Sequence, residues 1–205
     1  LLKSNLRLLP AFDDLWYGIT PVALVNRLSS RRLHFAVDGA HPTGSVHHQK
    51  ILVVDDAVAF CAWRGARLPT EAEWERVARG PEDDRRFPWG SDGVTCERAV
   101  FTTGASPCEL RPAPVASRSP EGDSVEGVAD LAGNVAEWVS DRYGSYDESA
   151  QEDPRGPSNG RSRVVRGGSF RERGASLRTT SRWGVTPDRR SDALGFRCAR
   201  SQGSL

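Results

Sequence analysis

Three residues near the start of the chain have the types and spacing of a phosphodiester-cleaving site. His48, Lys50 and Asp55 follow the pattern H-x-K-x-x-x-x-D within HHQKILVVDDAVAFCAW, residues 47–63. On a strand, this spacing indicates phosphodiester chemistry. The second half of the stretch instead predicts a capped helix, with Asp55 or Asp56 as its N-cap and Gly65 past its end. All four histidines lie at or before residue 48, so histidine-based catalysis is excluded from the rest of the chain.

Charge is unevenly distributed along a chain whose formal net charge is only +1. Residues 121–153 carry ten acidic residues against one base, Arg142, whereas residues 154–205 are rich in arginine. Either these segments face each other or water, or the acidic segment holds a cation. The near-neutral total predicts no nucleic-acid partner. No apolar run approaches the ~20 residues that a membrane-spanning helix needs.

The cysteine spacing argues against a zinc site, because Cys61, Cys96, Cys108 and Cys198 include no C-x-x-C pair. An even number with long separations is typical of two disulfides, for which three pairings are open. The alternative is that the cysteines are free and buried.

The clearest local signal predicts a helix over residues 71–79. Thr70 and Glu73 form a capping box, in which each side chain satisfies the backbone N–H of the other residue, and Gly80 can end the helix. Short strands are predicted over residues 33–39, 50–55, 164–170 and 194–200. The third is expected to be broken at Gly167-Gly168, and the last places Leu194, Phe196 and Cys198 on one face. Regular elements are otherwise sparse after Gly80, so the pattern predicts a loop-rich α+β domain.

Four segments of the larger part of the chain carry a family resemblance. They are DAVAFCAWRGARLPTEAEWERVARG (56–80), GVADLAGNVAEWVSD (127–141), RVVRGGSF (163–170) and LGFRCAR (194–200). As an ordered set they resemble the formylglycine-generating enzyme, or sulfatase-modifying factor, family. The resemblance implies an α+β, C-type-lectin-like fold, loop-rich, with short strands and two or three helices. The matching motif residues are Arg67, Glu71, Glu73, Trp74, Asn134, Trp138, Arg166, Gly167, Gly168, Ser169 and Arg197.

The resemblance does not extend to the oxidase chemistry of the family. Its oxidases convert a substrate cysteine to formylglycine with two copper-binding cysteines that follow the GGSF segment. Here residues 167–183, GGSFRERGASLRTTSRW, contain no cysteine, and Cu(I) is held by thiolates rather than by arginine, serine or leucine. Ala136 also replaces an aromatic residue of the family's GNVWEW segment. We therefore expect neither bound copper nor formylglycine oxidation.

The resemblance also implies a calcium site. In DLAGNVAEW the family binds Ca²⁺ through backbone oxygens and one carboxylate, which map here onto Asp130, the carbonyls of Gly133 and Val135, and Glu137. Oxygen ligands suit this hard cation. The alternative is a buried turn in which Glu137 accepts hydrogen bonds from backbone N–H groups.

A disulfide pattern follows from the same resemblance. Some members pair the cysteine of AFCAW with that of GFRCA, which implies Cys61–Cys198 and leaves Cys96–Cys108 as the second bond. Disulfides persist in oxidising compartments, so these bonds favour an extracytoplasmic location.

A second resemblance covers residues 38–61, which are similar to the phospholipase D superfamily. Its motif is matched by His48, Lys50 and Asp55. The resemblance implies a histidine that attacks phosphorus, a lysine that neutralises phosphate charge and an aspartate that orients a histidine. That superfamily needs two such motifs, and no histidine follows residue 48, so the second motif would have to come from another copy of the chain.

The expected organisation is a junction of two families. Residues 1–55 are predicted to be an incomplete phospholipase D-like fragment, and residues 56–205 a formylglycine-generating-enzyme-like domain truncated at its N-terminal side. The start at Leu-Leu-Lys and the lack of methionine predict a fragment or processed product. The leading hypothesis is a non-oxidase, calcium-stabilised binding or accessory domain for an unknown protein, peptide or small molecule. The alternatives are a phosphodiesterase using His48 and Lys50, and a non-functional fusion or fragment.

Overall fold

The computed structural model describes residues 6–8, 53–80, 85–147, 149 and 152–201. Within these ranges the elements, in chain order, are β1 (Leu6–Leu8), α1 (Val54–Trp63), α2 (Glu71–Arg79), β2 (Ala136–Arg142), β3 (Arg163–Arg166), a 3₁₀ helix (Gly174–Leu177), β4 (Arg182–Val185), β5 (Leu194–Phe196) and β6 (Ala199–Ser201). Turns and loops make up most of the rest, so the predicted loop-rich α+β class is confirmed. The predicted strand over residues 33–39 lies outside the described residues.

Helix α1 begins earlier than the sequence predicts. Its N-cap is Val53 rather than Asp55 or Asp56, because Asp56 turns back and its Oδ2 accepts a 3.3 Å hydrogen bond from the Val53 N–H. Both acids therefore lie in the first turn, at the positive end of the helix dipole. The prediction of a strand over residues 50–55 is wrong at its C-terminal end, since Val54 and Asp55 are helical. Residues 50–52 lie outside the described ranges.

Helix α2 has the predicted bounds and caps. Thr70 Oγ1 accepts a 3.1 Å hydrogen bond from the Glu73 N–H, and Glu73 Oε2 accepts a 2.8 Å bond from the Thr70 N–H. Arg67 adds two bonds of 2.6 Å to the Glu73 carboxylate. The helix ends at Gly80, whose φ of 76° is a conformation that glycine adopts without strain.

The central sheet has the strand order β4-β3-β2-β5. Strand β2 runs antiparallel to β3 and parallel to β5, with Trp138 opposite Phe196 in the second pairing. Ala136 and Trp138 of β2 pack into a cluster with α1, whereas Val139 packs with Trp74 of α2. Because neighbouring residues of a strand point to opposite faces, the two helices cover opposite sides of the sheet.

The ends of the strands differ from the prediction in detail. The strand predicted over 164–170 with a Gly-Gly break ends at Arg166, because Gly167 and Gly168 take φ values of 89° and 69° that break the extended backbone. The predicted strand over 194–200 divides into β5 and β6, and β6 pairs antiparallel with β1. Leu194, Phe196 and Cys198 nevertheless pack against one core cluster, as predicted.

Both predicted disulfides form. Cys61 of α1 bonds to Cys198, which lies between β5 and β6, and Cys96 bonds to Cys108. All four cysteines of the chain are thereby paired, so it has no free thiol. Neither of the described α-helices is long and apolar enough to cross a membrane.

Candidate functional site

Buried charges meet where the first turn of α2 lies against β2, β3 and β4. The carboxylate of Glu71 is 5% exposed. Arg182 of β4 binds both of its oxygens, Nε at 2.7 Å and Nη2 at 2.8 Å. The Tyr146 hydroxyl donates a third bond at 2.9 Å. The position at the start of α2 suits this carboxylate, because the N-terminal end of a helix carries partial positive charge.

Arg166, the last residue of β3, links this carboxylate to the second turn of α2. Its side chain is fully buried, and its Nη2 bonds to Glu75 while its Nε lies 3.5 Å from Glu71. Its guanidinium also covers the ring of Trp74 at 5.0 Å. Three predicted motif residues, Glu71, Trp74 and Arg166, therefore meet in one cluster that fastens α2 to the sheet.

Two tyrosines enclose the guanidinium of Arg182. Its central carbon lies 4.4 Å from the ring centre of Tyr143 and 4.3 Å from that of Tyr146, and its Nη1 donates to the Gly144 carbonyl at 2.8 Å. Although Tyr146 as a whole residue is largely exposed, desolvation of its hydroxyl, together with the negative charge of Glu71, raises the pKa of Tyr146. The hydroxyl therefore keeps its proton and serves as a donor to Glu71.

A cavity of about 690 Å³ opens beside these groups, within the size range of small-molecule sites. Glu71, Asp141, Tyr146, Pro154, Pro157 and Arg182 are among its walls. Asp141 is 3% exposed. Its Oδ2 accepts bonds from the Glu71 N–H at 2.8 Å and the Ser140 hydroxyl at 3.0 Å, and burial raises its pKa. A buried carboxylate in a cavity wall is a candidate binding group.

A second buried ion pair lies in the predicted calcium segment. Glu137 is 4% exposed, and its oxygens accept bonds of 2.6 Å from Arg197 Nε and Nη2 and one of 2.8 Å from the Trp74 indole N–H. The alternative prediction, in which backbone N–H groups donate to Glu137, is wrong, because its donors are the side chains of Arg197 and Trp74. The carboxylate is instead the counter-ion of Arg197, whose burial leaves its side chain 1% exposed.

The other predicted calcium ligands divide into two groups. The carbonyl oxygens of Gly133 and Val135 accept no hydrogen bond from any described residue, and Gly133 is buried at a φ of 80°. Backbone carbonyls without a protein partner are oxygen groups of the kind that a calcium ion binds. Asp130 does not fit, because its Oδ2 accepts from the Ala116 N–H at 2.7 Å and its carbonyl from Arg197 at 3.1 Å. Burial raises the pKa of the Asp130 carboxyl.

The remaining motif residues hold loops together. Asn134 bonds the backbone of Ala113 through its side-chain oxygen at 3.0 Å and its nitrogen at 3.2 Å. Ser169 is fully buried; its N–H donates to Glu172 at 2.6 Å, and its Oγ accepts from the Arg171 N–H at 3.3 Å. The stretch after Ser169, where the family's oxidases carry their cysteines, is a turn followed by the 3₁₀ helix.

The predicted phosphodiester site is only partly within the described ranges. Asp55 lies exposed in the first turn of α1, and His48 and Lys50 fall outside the described residues. Their catalytic role stays a prediction. The predicted strand does not include Asp55, because Asp55 lies in helix α1.

Comparison with known proteins places this α+β domain in a family. Residues 29–202 match the family described as "Sulfatase-modifying factor enzyme 1-like domain". The "Formylglycine-generating enzyme" of Streptomyces coelicolor is 40% identical over 172 residues, which cover 77% of this chain and 54% of that protein. The "Inactive C-alpha-formylglycine-generating enzyme 2" of Bos taurus is 38% identical over 160 residues, 73% of this chain and 48% of that protein.

A solved structure agrees on the fold. PvdO from Pseudomonas aeruginosa has a TM-score of 0.66 and 22% identity, over 87% of this chain and 76% of that one. The chain therefore belongs to the sulfatase-modifying factor enzyme family and spans about half the length of the curated relatives named here. The family match begins at residue 29, so it includes all of residues 38–61. The phospholipase D resemblance of that segment stays a prediction, as does the C-type-lectin-like fold.

The sequence did not indicate the cavity, although it indicated one of its walls. Glu71 is a predicted motif residue, whereas the sequence predicts no site role for Asp141, Tyr146 or Arg182. Glu71 and Arg182 are 111 positions apart, so no local pattern connects them. The only available signal was the excess of acidic residues in 121–153, which includes Asp141.

Proposed function

We propose that the chain is a non-oxidase member of its family and acts as a binding or accessory domain. The observation that carries this proposal is that all four cysteines are locked in disulfides. Cu(I) chemistry at a cysteine pair needs thiolates, and residues 167–183 supply none. The cavity beside Glu71 and Asp141 supports the binding role.

The oxidase activity can be tested directly. The purified chain is incubated with a cysteine-containing peptide, Cu(I) and oxygen, and the peptide is examined by mass spectrometry and by trapping of aldehydes. We expect unchanged peptide, while the Streptomyces coelicolor relative, under the same conditions, serves as the active control. Formation of aldehyde by this chain would contradict the proposed function.

We further propose that Ca²⁺ binds the turn before β2, through the carbonyls of Gly133 and Val135 and the carboxylate of Glu137. The unpaired carbonyls support this set. Bound Ca²⁺ would supply positive charge to those carbonyls and hold the turn against β2. Arg197 already occupies much of the Glu137 carboxylate, so the two cations would share it, and we expect weak binding rather than the affinity of a dedicated carboxylate cage.

Calcium binding is measured by titrating CaCl₂ into chelator-treated protein in a calorimeter. We expect saturable heat and a raised melting temperature. Mg²⁺ should do neither, because it demands a tighter octahedral geometry. Glu137→Gln should weaken binding, whereas Glu126→Gln, a carboxylate paired with Arg76 at the surface, should not. Absence of both heat and a melting shift in the parent protein would remove the site.

The two disulfides also support an extracytoplasmic location, which we propose for this domain. The expected finding is that protein recovered from its native compartment resists alkylation unless it is first reduced. Rapid alkylation of Cys61 and Cys198 without reduction would oppose it.

A further inference from the structure

We propose that the cavity beside α2 binds an organic cation, an alkylammonium or guanidinium group on an apolar stem, and that Asp141 is its counter-ion. This inference rests on the proposed binding function and names the ligand chemistry. It depends on three features of the described residues: the pairing of the other charges, the position of Asp141, and the apolar walls.

The other charged groups at the cavity are already paired with protein partners. Arg182 is held by both oxygens of Glu71. Arg76, in the same wall, bonds to Glu126 at 2.8 Å. With both wall arginines neutralised, an anionic ligand would find no uncompensated positive charge there. The sign of the charge on the preferred ligand therefore depends on the carboxylates of the cavity.

Among those carboxylates, Asp141 has an open position, whereas Asp147 accepts two hydrogen bonds from Ser149 through its Oδ1. Its Oδ2 takes the two hydrogen bonds described above, but its Oδ1 has no partner among the residues that the structure describes. By contrast, Glu75 is paired with Arg166 and Arg79. An ionised carboxylate that is 3% exposed and lacks a counter-ion is costly. A cation in the cavity would remove that cost.

Glycine at position 156 keeps the open oxygen accessible. Gly156 lines the cavity with a φ of 68°, and a Cβ built there would lie 3.0 Å from Asp141 Oδ1. Any larger residue would therefore cover the oxygen to which a ligand would bind. Gly156 thus provides a second, steric test of the same contact.

The walls favour an organic cation over a metal ion. The described residues contain no group of three or more His, Cys, Asp or Glu side chains that could hold a metal. Pro154 and Pro157 supply apolar surface for an alkyl stem. Tyr146 is 61% exposed although Arg182 covers its ring, so ring surface remains for a second cation, which aromatic rings attract.

The test uses three small probes that share one backbone: the Nα-acetyl, N-methylamide derivatives of lysine, arginine and norleucine. Each is titrated into isotopically labelled protein at constant ionic strength, and binding is followed by chemical-shift changes of residues around the cavity. We expect the lysine or arginine probe to bind and the uncharged norleucine probe to bind at least about tenfold more weakly, since a buried charge-assisted bond is lost.

Asp141→Asn is the decisive variant, because an asparagine oxygen can still accept from the Glu71 N–H. Since burial raises the pKa of Asp141, the neutral side chain should not destabilise the fold. We expect this variant to lose at least about tenfold in affinity for the cationic probe, and Gly156→Ala also to weaken binding. Asp92→Asn is the matched control, because Asp92 is an exposed surface acid paired with Arg98.

Equal binding of the norleucine probe, an unaffected Asp141→Asn variant, or absence of binding by both cationic probes would each overturn the inference. An equal loss in Asp92→Asn would do so too, since it would indicate only general charge attraction. These outcomes leave the non-oxidase proposal standing, because that proposal depends on the separate aldehyde assay. Aldehyde formation would contradict the proposed function whatever the probes do.

Discussion

At the scale of single residues, most of the motif positions serve the fold rather than chemistry. Glu137 is the clearest case, because it neutralises Arg197 in the interior and also accepts from Trp74. Breaking such a pair from one side leaves a buried charge without a partner, which is far worse than losing a surface pair. The motif positions of the family are thus explained by buried ion pairs that connect α2, β2 and the C-terminal strands.

Glu137→Ala is therefore predicted to reduce the free energy of unfolding by about 3–5 kcal/mol. Glu126→Ala, which breaks a half-exposed pair with Arg76, should cost no more than about 1 kcal/mol. Urea denaturation followed by tryptophan fluorescence measures both. The double variant Glu137→Leu/Arg197→Met should recover part of the loss, because it removes both charges. Similar costs for the two single variants would refute the prediction.

The carboxylate of Glu73 should make stability depend on pH. Burial acts to raise its pKa, but the Arg67 guanidinium and the Thr70 N–H outweigh it, so the pKa of Glu73 lies below its ordinary value of 4.5. The stabilisation is therefore present above that ordinary value and is lost as the pH falls through the folded-state pKa. We expect the stability difference between parent and Glu73→Gln to shrink between neutral and acid pH in urea titrations. A constant difference would contradict this.

At the scale of elements, α2 is the best-defined unit because its ends are set locally. Thr70→Ala removes one acceptor of the capping box and should cost about 1 kcal/mol. Thr180→Ala, at an exposed position, is the control and should cost almost nothing. The measurement is the urea midpoint of each variant. A Thr70→Ala midpoint equal to that of Thr180→Ala would show that tertiary contacts, not the cap, define the start of the helix.

The contrast between local capping contacts and tertiary packing explains which elements the sequence could predict. Helix α2 was predictable because the two partners of its capping box, Thr70 and Glu73, are only three positions apart. Strand β2 was not, because it is buried on both faces: Ala136, Glu137, Trp138 and Val139 are consecutive buried residues, without the alternation that marks a half-exposed strand. Helix α1 was predicted with the wrong start, since Asp56 caps from inside the first turn.

At the scale of the whole molecule, the candidate site depends on long-range contacts. Glu71 comes from α2, Asp141 from β2 and Arg182 from β4, and these meet only when α2 packs across the sheet. Packing of the opposite face, where α1 covers Trp138 and Phe196, therefore supports the site indirectly by holding β2 in place. The sequence could indicate the family and the disulfides through motifs, but not a cavity assembled from distant residues.

The Cys61–Cys198 bond should contribute more to stability than Cys96–Cys108. It joins residues separated by 137 positions, against 12 for the other bond. In the chain-entropy model, a bond that closes a longer loop restricts the unfolded chain more, by about 4–5 kcal/mol against about 3 kcal/mol. We expect the Cys61→Ala/Cys198→Ala variant to have a clearly lower urea midpoint than Cys96→Ala/Cys108→Ala. If the second variant were equally or more destabilised, the long-range bond would not be the main constraint on the fold.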